Sequence, residues 1–290
     1  MIHRTGGKPM DLIDRKQPAP MNHIFRFYEF KDYLRAAAES GYESIDLWTC
    51  GAHYFVDAHT HEETKSLKRM LGDYGLKAVS MTPEQSCPKP FHMAAKRPEI
   101  RKKAKRYFQH MIRAASELDC DRVLITSGWQ FFSEDREEAW KRSEEMVGEL
   151  CRFSEDYGVY LTMETLSKKS TRLCNRLEDV KRMMEAVNSG QFAVTADIHT
   201  IHNAGESLQD WFDAFGKRLN LVHFMDYRDG AFSHLKWGDG TCDLEGTLKL
   251  LDQNDYRGPL VLEYTDSRYF EDPAAVYEDT MKRLKPYIRR

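Results

Sequence analysis

Four apolar runs of this 290-residue chain carry, at or near their ends, residues that bind cations or move protons. Glu164 ends LTME, Asp197 ends VTAD, His223 lies inside VHFMD and Glu263 ends VLE. Any one such carboxylate is ordinarily a helix cap or the partner of a lysine. Three carboxylates and a histidine on four consecutive strands point instead to a shared centre. Three carboxylate oxygens and one imidazole nitrogen form a hard-to-borderline donor set, suited to a single Mn²⁺, Co²⁺ or Mg²⁺, with Zn²⁺ also accommodated. A structural zinc site would recruit thiolates, and none of the cysteines, at 50, 87, 120, 151, 174 and 242, stands at these ends.

The stretch Asn220 to Gly240, NLVHFMDYRDGAFSHLKWGDG, concentrates this chemistry. Its apolar run, Leu221 to Met225, holds His223 and leads through Asp226 into a glycine-punctuated loop that contains His234. Taken alone, His223 reads equally well as a satisfied core histidine; its company decides for a ligand.

The elements that must position these residues alternate along nearly the whole chain. Apolar runs of strand length are followed by longer amphipathic stretches, the pattern of βα units around a parallel sheet. About eight pairs are counted, which predicts an α/β fold of the (β/α)8 TIM-barrel type, with chemistry at the C-terminal ends of the strands. The strands are expected within Pro18 to Phe27, at Ser44 to Trp48, in LKAVSMT through Thr82, in RVLITSG, at Val159 to Thr165, at Phe192 to Asp197, in the run from Leu221, and at Pro259 to Tyr264. Helices are expected at Phe30 to Glu39, Glu62 to Tyr74, Arg97 to Leu118, Glu137 to Tyr157, Leu177 to Val187, Leu208 to Phe215, Leu244 to Asp252 and from about Pro273 to Tyr287. Between Arg97 and Leu118, residues Ile100, Ala104, Phe108, Met111, Ile112 and Ala115 fall on one face.

Composition narrows the partners. With 43 basic and 46 acidic side chains, a net charge of -3, no global field recruits nucleic acid or an anionic membrane. No run is long and apolar enough to span a bilayer, and the N-terminus lacks a signal-type apolar segment. Six cysteines without a C-x-x-C pair suit reduced thiols, so a cytoplasmic protein with a small-molecule partner is expected.

The order Glu164, Asp197, His223, Glu263, together with HFMDYRDGAFSHLKWGDG and PLVLEY, resembles the sugar phosphate isomerase/epimerase superfamily of xylose-isomerase-like barrels. Within it, IDLWTCGAHYF, SMTPEQSCPKPFHM, METLSKKSTRLCNRLEDV and LEYTDSRYFEDP look most like the fructoselysine 3-epimerase subgroup. The similarity leaves out residues 1–18, read as an N-terminal extension before a single catalytic barrel over 19–290. The resemblance implies a divalent-metal-dependent sugar isomerase, favouring C3 epimerisation of a ketose or ketoamine through an enediolate. Glu164, Asp197, His223 and Glu263 would hold the metal, and Glu164 and Glu263 would also remove and return the substrate proton. Asp226 is the candidate for holding the second ring nitrogen of His223. His234 matches a loop histidine of the subgroup and is expected to bind substrate, alongside Trp48 at the end of strand two and His53 and Glu84 from the loops after strands two and three. Many members place a histidine three residues after the strand-six Asp; this chain has Thr200 there and histidines at 199 and 202, with His199 the substrate-binding candidate. Where several ketose epimerases carry a carboxylate six residues after the strand-five Glu, this chain has Ser170.

Competing readings are a lyase like inosose dehydratase, in which a hydroxyl leaves after proton removal, an abasic-site endonuclease, and a non-catalytic barrel. The endonuclease would carry additional metal-binding histidines and a basic phosphate-tracking surface, which the near-neutral charge opposes. Barrels of this type commonly pair through their rims, so a homo-oligomer is among the expectations.

Overall fold

The computed structural model describes residues 10–230 and 233–289. Its strands are β1 Pro18–Pro20, β2 Ser44–Trp48, β3 Lys77–Thr82, β4 Arg122–Thr126, β5 Tyr160–Glu164, β6 Phe192–Asp197, β7 Leu219–His223 and β8 Leu260–Leu262. Each pairs in parallel with its neighbours in sequence from β2 through β8, and β8 then pairs with β1. A bridge between Met21 and Asp46 brings the end of β1 onto β2 and closes the ring. The helices are α1 Phe30–Glu39, α2 Thr64–Asp73, α3 Pro98–Glu117, α4 Arg136–Glu155, α5 Leu177–Val187, α6 Ile198–Asn203, α7 Leu208–Phe215, α8 Leu244–Gln253 and α9 Pro273–Leu284.

Local chemistry sets the helix ends. Asp135 and Asp243 accept hydrogen bonds from the first-turn amides of α4 and α8, and Ser207 with Asp210 forms a reciprocal capping box on α7. Helix α1 gives way at Gly41, whose φ of 88° lies in the left-handed region that a side chain disfavours. The expected apolar face of α3 is buried at Ala104, Phe108, Met111, Ile112 and Ala115, with Ile100 at its edge.

Two packed layers follow. The larger lies between the sheet and the helices, with Trp140, Phe108, Phe192 and Trp211 among its bulkiest members. The smaller fills the barrel interior with Ala19, Met21, Leu124, Leu221 and Val261. Successive strand residues face opposite sides of a sheet, so the residue two positions beyond an inward one also faces in. Leu221 thus fixes the inward direction of His223, and Val261 that of Glu263. On β5 and β6 the inward hydroxyls of Thr162 and Thr195 bond at 2.8 Å, two residues before Glu164 and Asp197.

Three details differ from expectation. Strand β7 starts two residues earlier than the apolar run and ends at His223, because Phe224 and Met225 leave the β6 ladder for the loop. The β8 ladder is three residues long, so Glu263 stands just past it. The expected extension over residues 1–18 also meets the barrel well before its end. Ile13 is 1% exposed and bridges Ile288, Gln17 is buried and donates to the Gly258 carbonyl at 3.0 Å, and Pro18 already belongs to β1. Residues 1–9 of that extension lie outside the described residues.

Candidate active site

Parallel register gathers the four strand-end residues. Asp197 on β6 is the register partner of His223 on β7, Glu164 pairs with Thr195 two residues short of Asp197, and His223 pairs with Val261 two residues short of Glu263. One donor atom from each of Glu164, Asp197, His223 and Glu263 lies within 4.8 Å of all the others. The imidazole Nδ1 of His223 stands 2.8 Å from Glu164 Oε1, 3.1 Å from Glu263 Oε2 and 3.7 Å from Asp197 Oδ2. These are ion-pair separations; by strict hydrogen-bond geometry neither ring nitrogen of this wholly buried histidine has a partner among the described residues.

A nitrogen that crowds three carboxylate oxygens without bonding to any of them is arranged around a common point. Three carboxyls in a water-poor pocket need compensating positive charge, from protonated histidines or from a cation. The oxygen-rich donor set with one imidazole, its Nδ1 unbonded, fits a divalent metal.

The electrostatics follow from this crowding. Burial lifts Glu164 to about 7, against the pull of His223. Burial also pushes Glu263 up, but the His223 and His234 charges outweigh it and hold that carboxyl well below its usual range. The same contest lowers Asp197, where His234 and His223 win. On His223 burial works against the proton, yet Glu164 and Glu263 raise the imidazole well above its ordinary value.

Residues 34–287 match the family pattern of the xylose isomerase-like TIM barrels. The chain belongs to that family. Fructoselysine 3-epimerase of Shigella flexneri is 23% identical over 272 residues, which cover 94% of this chain and 95% of the relative. Among solved structures, 3-keto-D-glucoside 4-epimerase from E. coli superposes with a TM-score of 0.76 at 16% identity, covering 93% of this chain and 99% of that one. The IOLI protein, solved with a binding zinc atom, also gives a TM-score of 0.76, at 17% identity over 93% and 98% of the two chains. With sugar epimerases and inosose isomerases among its relatives, this xylose isomerase-like barrel is an isomerase-class enzyme.

Above the cluster opens a cavity of about 630 Å³. Of the expected substrate-binding residues, Trp48, Glu84, His199 and His234 line it. His234 reaches over the cluster, with Nδ1 3.0 Å from Glu263 Oε2 and Nε2 3.5 Å from Asp197 Oδ2; burial opposes its proton, but these carboxylates raise it to about 9. His199 stacks on Tyr227, its ring centroid 5.6 Å away, and meets His234 edge-on. Thr200, where the family often has a histidine, lies in the first turn of α6 and gives its backbone N–H to Asp197 Oδ1 at 2.7 Å, so that Asp197 caps the helix.

His53 is not brought to the cavity. Asn22 donates to its Nδ1 at 2.7 Å and its Nε2 faces the Tyr28 carbonyl at 3.0 Å, so both nitrogens brace the turn after β1. Asp226 likewise does not orient His223. Its carboxylate accepts from the backbone amides of Tyr227, Gly238, Gly240 and Cys242, tying the loop after β7 into a knot. Gly240 is required there, because a Cβ would collide with the Tyr227 carbonyl and the Asp226 carboxylate.

His23 and Gln85 are among the cavity residues that the sequence does not flag. His23 lines the wall just after β1, its ring 4.8 Å from that of Trp48; burial and neighbouring Arg26 depress it to about 4, leaving a neutral imidazole. Gln85 braces β4 by donating to Leu124 O and accepting from Thr126 N. The short Pro-Ala-Pro strand before His23 carries no alternation to flag it.

Proposed function

We propose that this chain is a divalent-metal-dependent epimerase of a ketose or ketoamine, inverting the C3 centre through an enediolate. The carrying observation is the convergence of Glu164, Asp197, His223 and Glu263 around the unbonded Nδ1 of His223. Those four would hold the cation, and a divalent metal bound there supplies Lewis-acid stabilisation of negative charge on the sugar oxygens.

The protein's own groups would move the proton. Glu164 and Glu263 arrive from β5 and β8, and their surroundings push their proton affinities apart: about 7 for one and well below the usual range for the other. With the cation bound both carboxyls would be ionised, so one would take a proton from the substrate and the other would return one. Glu263 would abstract the C3 proton in one direction of the reaction and Glu164 return a proton to the other face, the roles exchanging in reverse. Asp197, its Oδ1 fixed by Thr200 N, and His223 would only hold the cation. His234 would bind substrate oxygens, and Trp48 would offer an aromatic face to the apolar side of the sugar. Fructoselysine, psicose and 3-keto-glucoside, named for related enzymes, are the first substrates to try.

Proton NMR of candidate sugars incubated in D₂O with Mn²⁺-loaded enzyme, the Mn²⁺ removed before spectra, tests this reading. Deuterium at C3 with a new diastereomer is expected. Exchange at C1 with aldose formation would make the enzyme an aldose–ketose isomerase, and loss of a hydroxyl would make it a dehydratase. No exchange across fructoselysine, fructose, tagatose, psicose and inosose would overturn the epimerase assignment.

A further inference from the structure

The cavity has an outer wall that the metal-type cluster does not explain. It is formed by the segment between β5 and α5, residues 165–176, which places Lys168, Lys169 and Arg176 on the same space as Glu164 and Asp197. This segment has no aspartate or glutamate. Other cations near the rim already have partners: Lys89 pairs with Glu84 at 2.6 Å, Arg172 lies over the Phe132 ring at 3.9 Å, and Lys236 pairs with Asp279 at 2.7 Å. Arg228 and Arg268 are likewise engaged, with the Asp239 carbonyl and Asp266. Lys168 and Arg176 differ. Among the described residues neither side chain makes a hydrogen bond or ion pair, and the hydroxyls of Ser167 and Ser170 beside them are also unbonded.

The amide that begins α5, Leu177 N, is taken by the Glu206 carboxylate at 3.1 Å, so an anion at this wall would be met by side chains and not by the helix end. The cavity, about 630 Å³, falls in the roughly 300–1,000 Å³ range of pockets that enclose drug-sized ligands, well beyond one sugar ring. A substrate that fills it carries a substituent away from the reacting carbons, and the wall it meets is cationic.

We propose that Lys168 and Arg176, with the Ser167 and Ser170 hydroxyls, form an anion subsite for a carboxylate or phosphate at the far end of the sugar substrate. The identity of the near end rests on the epimerase reading above. Arg176 offers a forked set of donors suited to either anion, and Lys168 a mobile point charge.

Titration calorimetry on Mn²⁺-loaded protein with D-fructose, D-fructose 6-phosphate and the ketose acid D-tagaturonate tests the subsite. At least one anionic sugar should bind about tenfold or more tighter than fructose, the scale of a charge-assisted contact, and which one does so separates phosphate from carboxylate. The substitution K168Q/R176Q should bring that ligand to within about threefold of fructose, and the charge-conserving K168R/R176K should retain most of the preference. Equal affinities in the wild type would overturn the subsite. So would a preference that survives K168Q/R176Q, since the anion would then be meeting the metal. A charge-dependent preference without C3 exchange in D₂O would leave the subsite standing and remove the epimerase assignment alone.

Discussion

Glu164 Oε1 lies 2.8 Å from His223 Nδ1, a contact between β5 and β7 that passes over β6. A proton on that imidazole and a divalent cation compete for one place. His223 is held well above its usual range by Glu164 and Glu263, and burial lifts Glu164 to about 7. Below these values both ligands carry protons that metal binding must expel, so affinity falls as pH falls. Mn²⁺ should bind at least about tenfold more tightly at pH 8 than at pH 6, the scale of displacing one proton. Calorimetry in buffers of different ionisation enthalpy should register proton release. Affinity independent of pH would mean that these residues are not the ligands.

A buried and an exposed histidine make a paired test. His223 is wholly buried among the carboxylates, whereas His59 is exposed in the loop before α2. His223→Ala should weaken Mn²⁺ binding by more than about 100-fold, beyond the scale typical of merely supporting residues, and His59→Ala should leave it within about twofold. Equal losses would put the metal elsewhere.

Glu164→Gln and Glu263→Gln each keep a ligand oxygen while removing the carboxylate that moves the proton. Turnover with the best substrate should drop by roughly 10²-fold or more for each. Because the two groups act on opposite faces, one variant should still exchange the C3 proton with D₂O without producing the epimer. Near-wild-type turnover in either would remove it from the reaction.

Much of this is legible in the sequence, for physical reasons that differ by element. Strand β6 and helices α1, α5 and α7 coincide with their expected spans because apolar period, caps and breakers agree there. All four cluster residues could be found because an ionisable group ending a buried strand is costly without a partner. His53 misled because proximity in chain to β2 says nothing of direction; it turns beneath the rim to Asn22 and Tyr28. The cationic wall at Lys168 and Arg176 was invisible because lysines and arginines in a polar loop look solvated until a cavity is seen beside them. Strand β1 was vague because two of its three residues are prolines, which accept but cannot donate to a ladder.

Asp46, on β2 inside the barrel, is wholly buried; its Oδ2 accepts from the hydroxyls of Ser80 and Thr82, and its Oδ1 has no partner among the described residues. Burial pushes its carboxyl up to about 7. A carboxyl raised on folding contributes stability that is fully present below its unfolded value, near 4, and is lost as pH climbs through 7. In metal-free protein, Asp46→Asn should therefore flatten the fall in Tm between pH 5 and 8. At pH 8 the variant should be more stable than wild type by on the order of 5 °C. An unchanged slope would show that Asp46 is already charged at low pH.

Asp226 separates loop order from metal binding. Its carboxylate, 2% exposed, takes four backbone N–H groups at 2.8–2.9 Å and so shapes the loop that carries His234 over Glu263. Asp226→Ala strands those donors, each of which costs about 1–3 kcal/mol when buried without a partner, so a fall in stability of about 3 kcal/mol or more is expected in urea unfolding. Asp226→Asn should lie between, because an amide oxygen can serve part of the set while its NH₂ faces donors. With His234 displaced, KM for the sugar should rise several-fold in Asp226→Asn. Metal affinity should stay within about threefold, since Asp226 bonds to the loop and not to His223. A metal loss as large as that of His223→Ala would show instead that Asp226 supports the imidazole after all.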